Sequence, residues 1–445
     1  MTEIKIILSA YLVLMAAIGV FSCFKIKNAS DYYVSGRNGS WWQISGSLFA
    51  TTIGGSAILG TIELSQKAGW AAVWFLGSAA LGLFILAIIA PKVSRLGHYT
   101  LPEMIGLFYG KKAEHTATLM IPVAWLGIIA VQIIAGAKVL SGLSLMTYPQ
   151  GAITCGGVFI FYTLLGGQKS ILKTDFVQAI IIFAGLLILF FLKLKNMREV
   201  SLPPALPTLF NDNFRFIDLL ILLLTYSVTF IVGPDIYSRI FCARNEKTSR
   251  NSVILVAFLI VPVALILTFL GVTTPPDGSA SPEKQFILPG TSFLNPWQLG
   301  IIAVIMLSAI MSSADTTLLS TSMILSELFT GNLDHKRSFS LTRLFILLCG
   351  VLSLWIAIRV TSILGALLLS LSFYSGAFIL PVLAGIAGWK VNRSLAYTGM
   401  IAGGFTALTG KISQEVYHQT WGYWMIIAAF FVNGIFLFSR NRKLN

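Results

Sequence analysis

Residues 45–60 read SGSLFATTIGGSAILG. The segment begins as an apolar helix and then presents Thr51, Thr52, Gly54, Gly55 and Ser56 near the middle of a membrane-length run. Each glycine weakens a helix by about 1 kcal/mol relative to alanine. Two readings fit these residues. Small side chains let helices approach closely. Alternatively the helix breaks and frees backbone carbonyls, which is tolerated at membrane depth only where they line a cavity or hold an ion.

A membrane setting follows from composition. Of 445 residues, 56% are hydrophobic and only 11% charged, whereas soluble domains carry about 25% charged residues. A soluble multidomain enzyme is excluded. Thirteen apolar runs approach the roughly 20 residues a helix needs to cross a bilayer: 4–24, 41–62, 70–90, 115–143, 150–167, 175–194, 215–238, 251–273, 297–328, 341–358, 361–388, 395–410 and 420–438. The fold class is therefore all-α and polytopic, embedded in a lipid bilayer. The gaps 91–114, 195–214 and 274–296 are loop-sized, with room for interfacial helices. Run 4–24 lacks a basic leader and a small-residue cleavage site, and reads as a retained span rather than a signal peptide.

The net charge of +14 would suggest nucleic acid in a soluble protein, but the basic residues sit in loops and form no folded basic module. With the N-terminus outside, the inner segments hold twenty-one Lys and Arg and the outer segments nine, with Lys138 inside a span. That bias places the C-terminus in the cytoplasm and the chain in the plasma (inner) membrane. Residues 193–215 run against it, with four basic residues outside. Trp41, Trp42, Trp70, Trp297, Trp421 and Trp424 mark span ends, where indole suits the headgroup zone. The four cysteines and four histidines are scattered, without metal-ligand spacing, so zinc chemistry has no support. Neither a G-x-S-x-G elbow nor a metal motif points to an integral-membrane enzyme.

Two further segments place polar groups in spans, which is costly unless they face protein or water. Residues 308–322, SAIMSSADTTLLSTS, put Ser308, Ser312 and Asp315 on one helical face, with Ser313 and Thr316 beside it. Such a row of oxygens suits a hard cation. Back-bonding to the helix's own carbonyls accounts for the hydroxyls but not for Asp315. Residues 166–178, GGQKSILKTDFVQ, set Asp175 at the start of a span, where a carboxylate also complements the helix dipole.

At these three places the sequence resembles the sodium–solute symporter family. ATTIGG at 50–55 looks like its unwound first core helix, LLGGQKSILKTDFVQ at 164–178 like its GG…TD-x-x-Q segment, and SAIMSSADTTLLSTSMILSELF at 308–329 like its serine-pair helix. GPDIYSRIFCARNEKTSR at 233–250 and LPVLAGIAGWKVNRSLAYTGMIAGG at 380–404 agree, in order. The resemblance implies two five-helix inverted repeats with broken first and sixth core helices. They would span 41–194 and 215–388, after an extra helix at 4–24 and before C-terminal helices within 395–438.

It also implies a sodium site of carbonyls from Ala50, Ile53 and Ala309 and hydroxyls from Ser312 and Ser313. A possible second cation would lie near Asp175, Asp315 and Thr316. Sugar-carrying relatives place a tyrosine where this chain has Thr229, which weakens a sugar assignment and leaves the inner gate unassigned. Asp235 and Arg239, four apart, are expected to pair at the cytoplasmic end. Solute-contact candidates are Thr52, Gln132, Thr225, Tyr226, Thr229, Phe373 and Tyr374. Glu63 and Lys138 are expected near outer span ends. The function implied is sodium-coupled symport of a small organic solute by alternating access, with sodium as coupling ion and no enzymatic activity. A proton-coupled carrier using Asp315 or Asp175, and a solute-sensing subunit on the same scaffold, are the alternatives.

Overall fold

The computed structural model describes residues 2–24, 26–96, 99–196, 208–273 and 295–439. Several basic residues counted for topology (Lys25, Arg198, Lys284, Arg440, Arg442 and Lys443), His98, and most of the gaps at 195–214 and 274–296 lie outside the described residues.

Among the described residues the chain is helical, without a named strand. In order come α1 (Thr2–Cys23), α2 (Ala29–Val34), α3 (Trp41–Thr52), α4 (Gly55–Ala68), α5 (Val73–Leu96), α6 (Leu101–Tyr109), α7 (Lys111–Gly142), α8 (Tyr148–Leu165) and α9 (Gln168–Asn196). The second half holds α10 (Phe216–Val232), α11 (Pro234–Cys242), α12 (Glu246–Val272), α13 (Pro296–Thr330), α14 (Ser338–Arg359), α15 (Ile363–Ala387), α16 (Ala396–Glu415) and α17 (Trp421–Phe438). Among the described residues, ten helical stretches are long and apolar enough to cross a membrane. By that measure α4 and α5 form one stretch, and the expected spans at 150–167 and 395–410 are helical without being among the ten. The gap at 91–114 contains the short helix α6.

Local chemistry sets the ends that matter. Ser40 and Gln43 form a capping box before α3, which satisfies two otherwise orphaned N–H groups. Asn295 and Gln298 do the same for α13, and Gly331, at φ 70°, ends it in the left-handed region that glycine adopts without strain. Near α3 and α11 the chain pairs locally: Gly39 N–H donates to the Cys242 carbonyl at 2.9 Å, and Arg244 N–H to the Gly39 carbonyl at 3.2 Å. The start of one broken helix is thereby tied to the end of the other.

Helix α13 is the hub. It packs on α1, α3, α7, α8, α9 and α14, and its whole polar row from Ser308 to Ser322 is buried. The outer helices instead expose large apolar side chains, such as Ile88, Phe431 and Ile435. A buried polar row set within an apolar core, under an apolar exterior, suits a polytopic membrane protein, where polar groups in spans must face protein or water.

Candidate functional site

The first break lies between α3 and α4. Ile53 N–H donates to the Phe49 carbonyl at 2.9 Å, and the ladder resumes with Ala57 and Ile58 donating to the Gly54 carbonyl at 2.9 and 3.1 Å. A helix leaves its last four carbonyls without intrahelical partners, so the α3 end presents oxygens into the gap and carries partial negative charge. Ser313, on α13, donates its hydroxyl to one of these, the Thr51 carbonyl, at 3.0 Å. Ala50, Ile53, Ala309, Ser312 and Ser313 are all buried. The Ser312 hydroxyl has no hydrogen-bond partner. The break and the serine pair thus face each other.

Beside them sits a buried ionic cluster. Arg239, on α11, is 0% exposed at its side chain and Asp175, on α9, 1%. Their Nη2 and Oδ2 atoms lie 2.9 Å apart. Ser47 donates to the same Asp175 oxygen at 2.5 Å and accepts from Arg239 Nε at 2.9 Å. Arg239 also donates to the Thr316 hydroxyl. A guanidinium therefore bridges Asp175 and Thr316. Asp315 is buried nearby and accepts from Thr163 at 3.3 Å.

Two expectations are corrected here. Arg239 does not pair with the Asp235 side chain; its Nη1 donates to the Asp235 backbone carbonyl at 3.2 Å, because α11 turns the guanidinium toward α9. Asp175 is not in the first turn of its helix, since α9 already begins at Gln168. It points into protein rather than capping a dipole.

The second break lies at Gly233, between α10 and α11. Gly233 N–H closes α10 on the Thr229 carbonyl at 2.8 Å, and Tyr374 donates its hydroxyl to the Val232 carbonyl at 2.6 Å. A cavity of about 50 Å³ lies between the two breaks. Thr52, Gln132, Tyr226 and Thr229 line it; Thr225, Phe373 and Tyr374 do not. Thr225 turns back to the Ile221 carbonyl at 2.7 Å, Phe373 packs edge-on against Phe405, and Tyr374 is occupied with Val232 and the Trp125 ring. Sequence reasoning missed Thr51, Ser56, Thr317 and Asp235, which also line the cavity. The Gly233-Pro234 dipeptide was the available signal for Asp235, because a residue just past a helix break faces the gap. A drug-sized ligand takes about 300 Å³ or more, so this pocket is nearly shut. Asp31, on the short helix α2, forms a 2.9 Å ion pair with Lys169 at the start of α9, and that partner keeps the Asp31 carboxyl below its usual range. Toward the other side, Glu63 pairs with Lys67 at 2.8 Å.

Known transporters share the sequence pattern and the fold. The osmoregulated proline transporter of Bacillus subtilis is 24% identical over 443 residues, covering 91% of this chain and 88% of that protein. The sodium/proline symporter of Haemophilus influenzae is 25% identical, covering 90% and 86%. The substrate-bound, outward-open structure of a Na+-coupled sialic acid symporter shares the fold, with a TM-score of 0.78 at 16% identity, over 98% of this chain and 96% of that one. The sequence profile of the sodium:solute symporter family matches residues 32–403. With that match over most of its length, the chain belongs to the sodium:solute symporter family, and its activity is sodium-coupled symport rather than an enzymatic reaction.

Proposed function

We propose that the chain carries a small organic solute across the plasma membrane by alternating access, with sodium bound where α3 breaks. The ligands are the carbonyls of Ala50, Ile53 and Ala309 and the hydroxyls of Ser312 and Ser313. The observation that carries this reading is the Ser313 hydroxyl against the Thr51 carbonyl at 3.0 Å, which brings the hydroxyl row of α13 to the open end of α3. Oxygen ligands and the negative end of a helix dipole both suit a hard monovalent cation. Inward movement of each charge gains about 2.3 kcal/mol per 100 mV of membrane potential, and the sodium gradient adds to this.

The two inverted repeats are assigned to 41–194 and 215–388, flanked by 4–24 and 395–438. The lysine and arginine bias supports an outer N-terminus and a cytoplasmic C-terminus, and the exposed apolar side chains of the outer helices suit contact with lipid. The cavity between the breaks is the solute pocket, formed in part by Thr52, Gln132, Tyr226 and Thr229. Asp175, Asp315 and Thr316 surround the Arg239 guanidinium, which supplies positive charge where a second cation would otherwise bind.

The test uses the purified full chain in proteoliposomes. Uptake of radiolabelled L-proline and sialic acid, the solutes named for the relatives above, is measured with an inward sodium gradient and with potassium in its place. A melting-temperature rise in NaCl over KCl reads the ion site without any solute. Sodium-driven uptake and a sodium-specific rise are expected. Equal behaviour in both salts rejects the site, and uptake driven by a pH gradient alone would indicate proton coupling.

A further inference from the structure

Four ionisable side chains are buried around the two helix breaks: the carboxyl groups of Asp175, Asp235 and Asp315, and the guanidinium of Arg239. Arg239 is committed to Asp175. Asp235 is the single charged residue lining the cavity. It is 7% exposed, makes no ion pair among the described residues, and its Oδ1 has no hydrogen-bond partner.

An N-terminal helix position favours a carboxylate, and Asp235 stands in the first turn of α11. Its Oδ1 nevertheless has no hydrogen-bond partner. A buried carboxylate with an unmet oxygen is strongly unfavourable unless a partner arrives. Two further lining atoms, the Gln132 amide oxygen and the Thr51 hydroxyl, also have no partner, while the other serine and threonine hydroxyls around the cavity are hydrogen-bonded. The remaining wall includes the rings of Tyr226 and Phe230, packed edge-on at 5.1 Å. Aromatic faces attract cations and do nothing for anions.

We infer that the transported solute carries a positively charged nitrogen, as an amine, quaternary ammonium or zwitterion, and that Asp235 is its counter-charge. The inference rests on the reading of this cavity as the solute pocket. The unmet Asp235 oxygen receives the ammonium, the Gln132 amide oxygen supplies a second acceptor, and the aromatic wall covers the apolar substituents. Because the cavity is nearly shut, the solute enters when the outer wall opens and is neutralised as it closes. Neutral sugars and plain carboxylates leave Asp235 unpaired and are rejected.

The experiment is a melting-temperature titration of the purified full chain in NaCl and in KCl. The probes are matched pairs differing in the charged nitrogen: L-proline against tetrahydrofuran-2-carboxylate, and choline against 3,3-dimethylbutanol, with glucose and lactate as neutral and anionic controls. At least one ammonium probe should raise the melting temperature in NaCl, with at least tenfold higher affinity than its isostere. Asp235→Asn should abolish that response, Asp235→Glu should restore part of it, and the sodium-specific rise without solute should survive in both. The surviving sodium rise shows that the variants are folded. Silence of every ammonium probe, a response to glucose or lactate instead, or an unchanged affinity in Asp235→Asn overturns the inference. Loss of the sodium rise itself in Asp235→Asn also overturns it, because Asp235 would then serve an ion. A wild-type chain with no sodium response fails the ion-site reading, a separate result.

Discussion

The hydroxyl of Ser313 lies 3.0 Å from the carbonyl oxygen of Thr51, joining residues 262 positions apart. Neither residue is polar enough to signal this alone. The contact arises because α3 stops at Thr52 and α13 runs unbroken past it. A hydroxyl that approaches a helix end can also turn its lone pairs to a cation held there, since Ser is both donor and acceptor. Ser313→Ala removes that ligand. Interactions with a charged partner are worth about 1.5–3 kcal/mol, so the sodium concentration giving half the melting-temperature rise should increase about tenfold or more. Ser312→Ala should act likewise, and the double variant should respond equally to NaCl and KCl. An unchanged sodium midpoint in the double variant would remove these serines from the site.

Gly54 keeps the break open for that contact. A Cβ placed there would meet the Ser313 hydroxyl, lie 3.0 Å from Ser313 Cβ and 3.5 Å from Gln132 Nε2. All three belong to buried side chains with little room to move. Overpacking of this kind costs about 1–3 kcal/mol. Gly54→Ala should lower the melting temperature and weaken the sodium response together. Gly157→Ala, inside α8, is the control, because a Cβ there meets nothing within 4 Å; it should leave the sodium response at the wild-type value and hold or slightly raise the melting temperature, since alanine favours the helix. Equal behaviour of the two variants would mean that the gap tolerates a side chain.

The Arg239–Asp175 pair should behave as a unit. Removing one member of a buried pair strands the other, at roughly 3–5 kcal/mol, whereas replacing both is often far less costly. Arg239→Met leaves Asp175 unneutralised beside Asp315, and Asp175→Asn leaves the guanidinium with neutral acceptors only. Each should lower the melting temperature sharply. The double variant should recover much of the loss, giving a coupling energy well above the ~0.5 kcal/mol scatter of independent sites. Additive losses would show that the two groups are stabilised by separate neighbours.

Much of this was legible before any coordinates. The paired glycines in an apolar run fit either close packing or a break, and the family resemblance points to the break at Gly54; the burial of 308–322 follows from hydroxyls and an acid where lipid would reject them. The partners of Arg239 were not legible. Spacing by four within one helix suggested Asp235, but α11 is only nine residues long and presents Arg239 toward α9, where Asp175 and Ser47 offer a charged oxygen and a hydroxyl. Tertiary placement overrode local spacing. The solute pocket was half legible for a related reason. Thr52, Gln132, Tyr226 and Thr229 sit on cavity-facing sides of their helices, while Thr225, one turn before Thr229, spends its hydroxyl on its own helix. Thr229 also turns its hydroxyl back to its own helix, at the Thr225 carbonyl, so side-chain chemistry does not separate two threonines a turn apart; only their placement against the cavity does.

The second break has its own fastener. Tyr374, on α15 and fully buried, donates to the Val232 carbonyl at 2.6 Å, and its ring packs edge-on against Trp125, 4.5 Å between centroids. Beyond Val232 the backbone leaves the helical path at Gly233, with φ −64° and ψ 134°. Pro234 lacks an N–H group, so the last carbonyls of α10 lose one potential backbone donor, and the Tyr374 hydroxyl supplies one. Tyr374→Phe keeps the ring and its packing and deletes only that donor. An unmet buried carbonyl costs about 1–3 kcal/mol, so the variant should melt at a lower temperature. Its sodium response should stay intact, since the ion is assigned to the other break. Hydrogen exchange should show faster exchange in α10 and α11 than in α3 and α4. A variant that melts with the wild-type chain would mean that the tyrosine packs against this break without holding it.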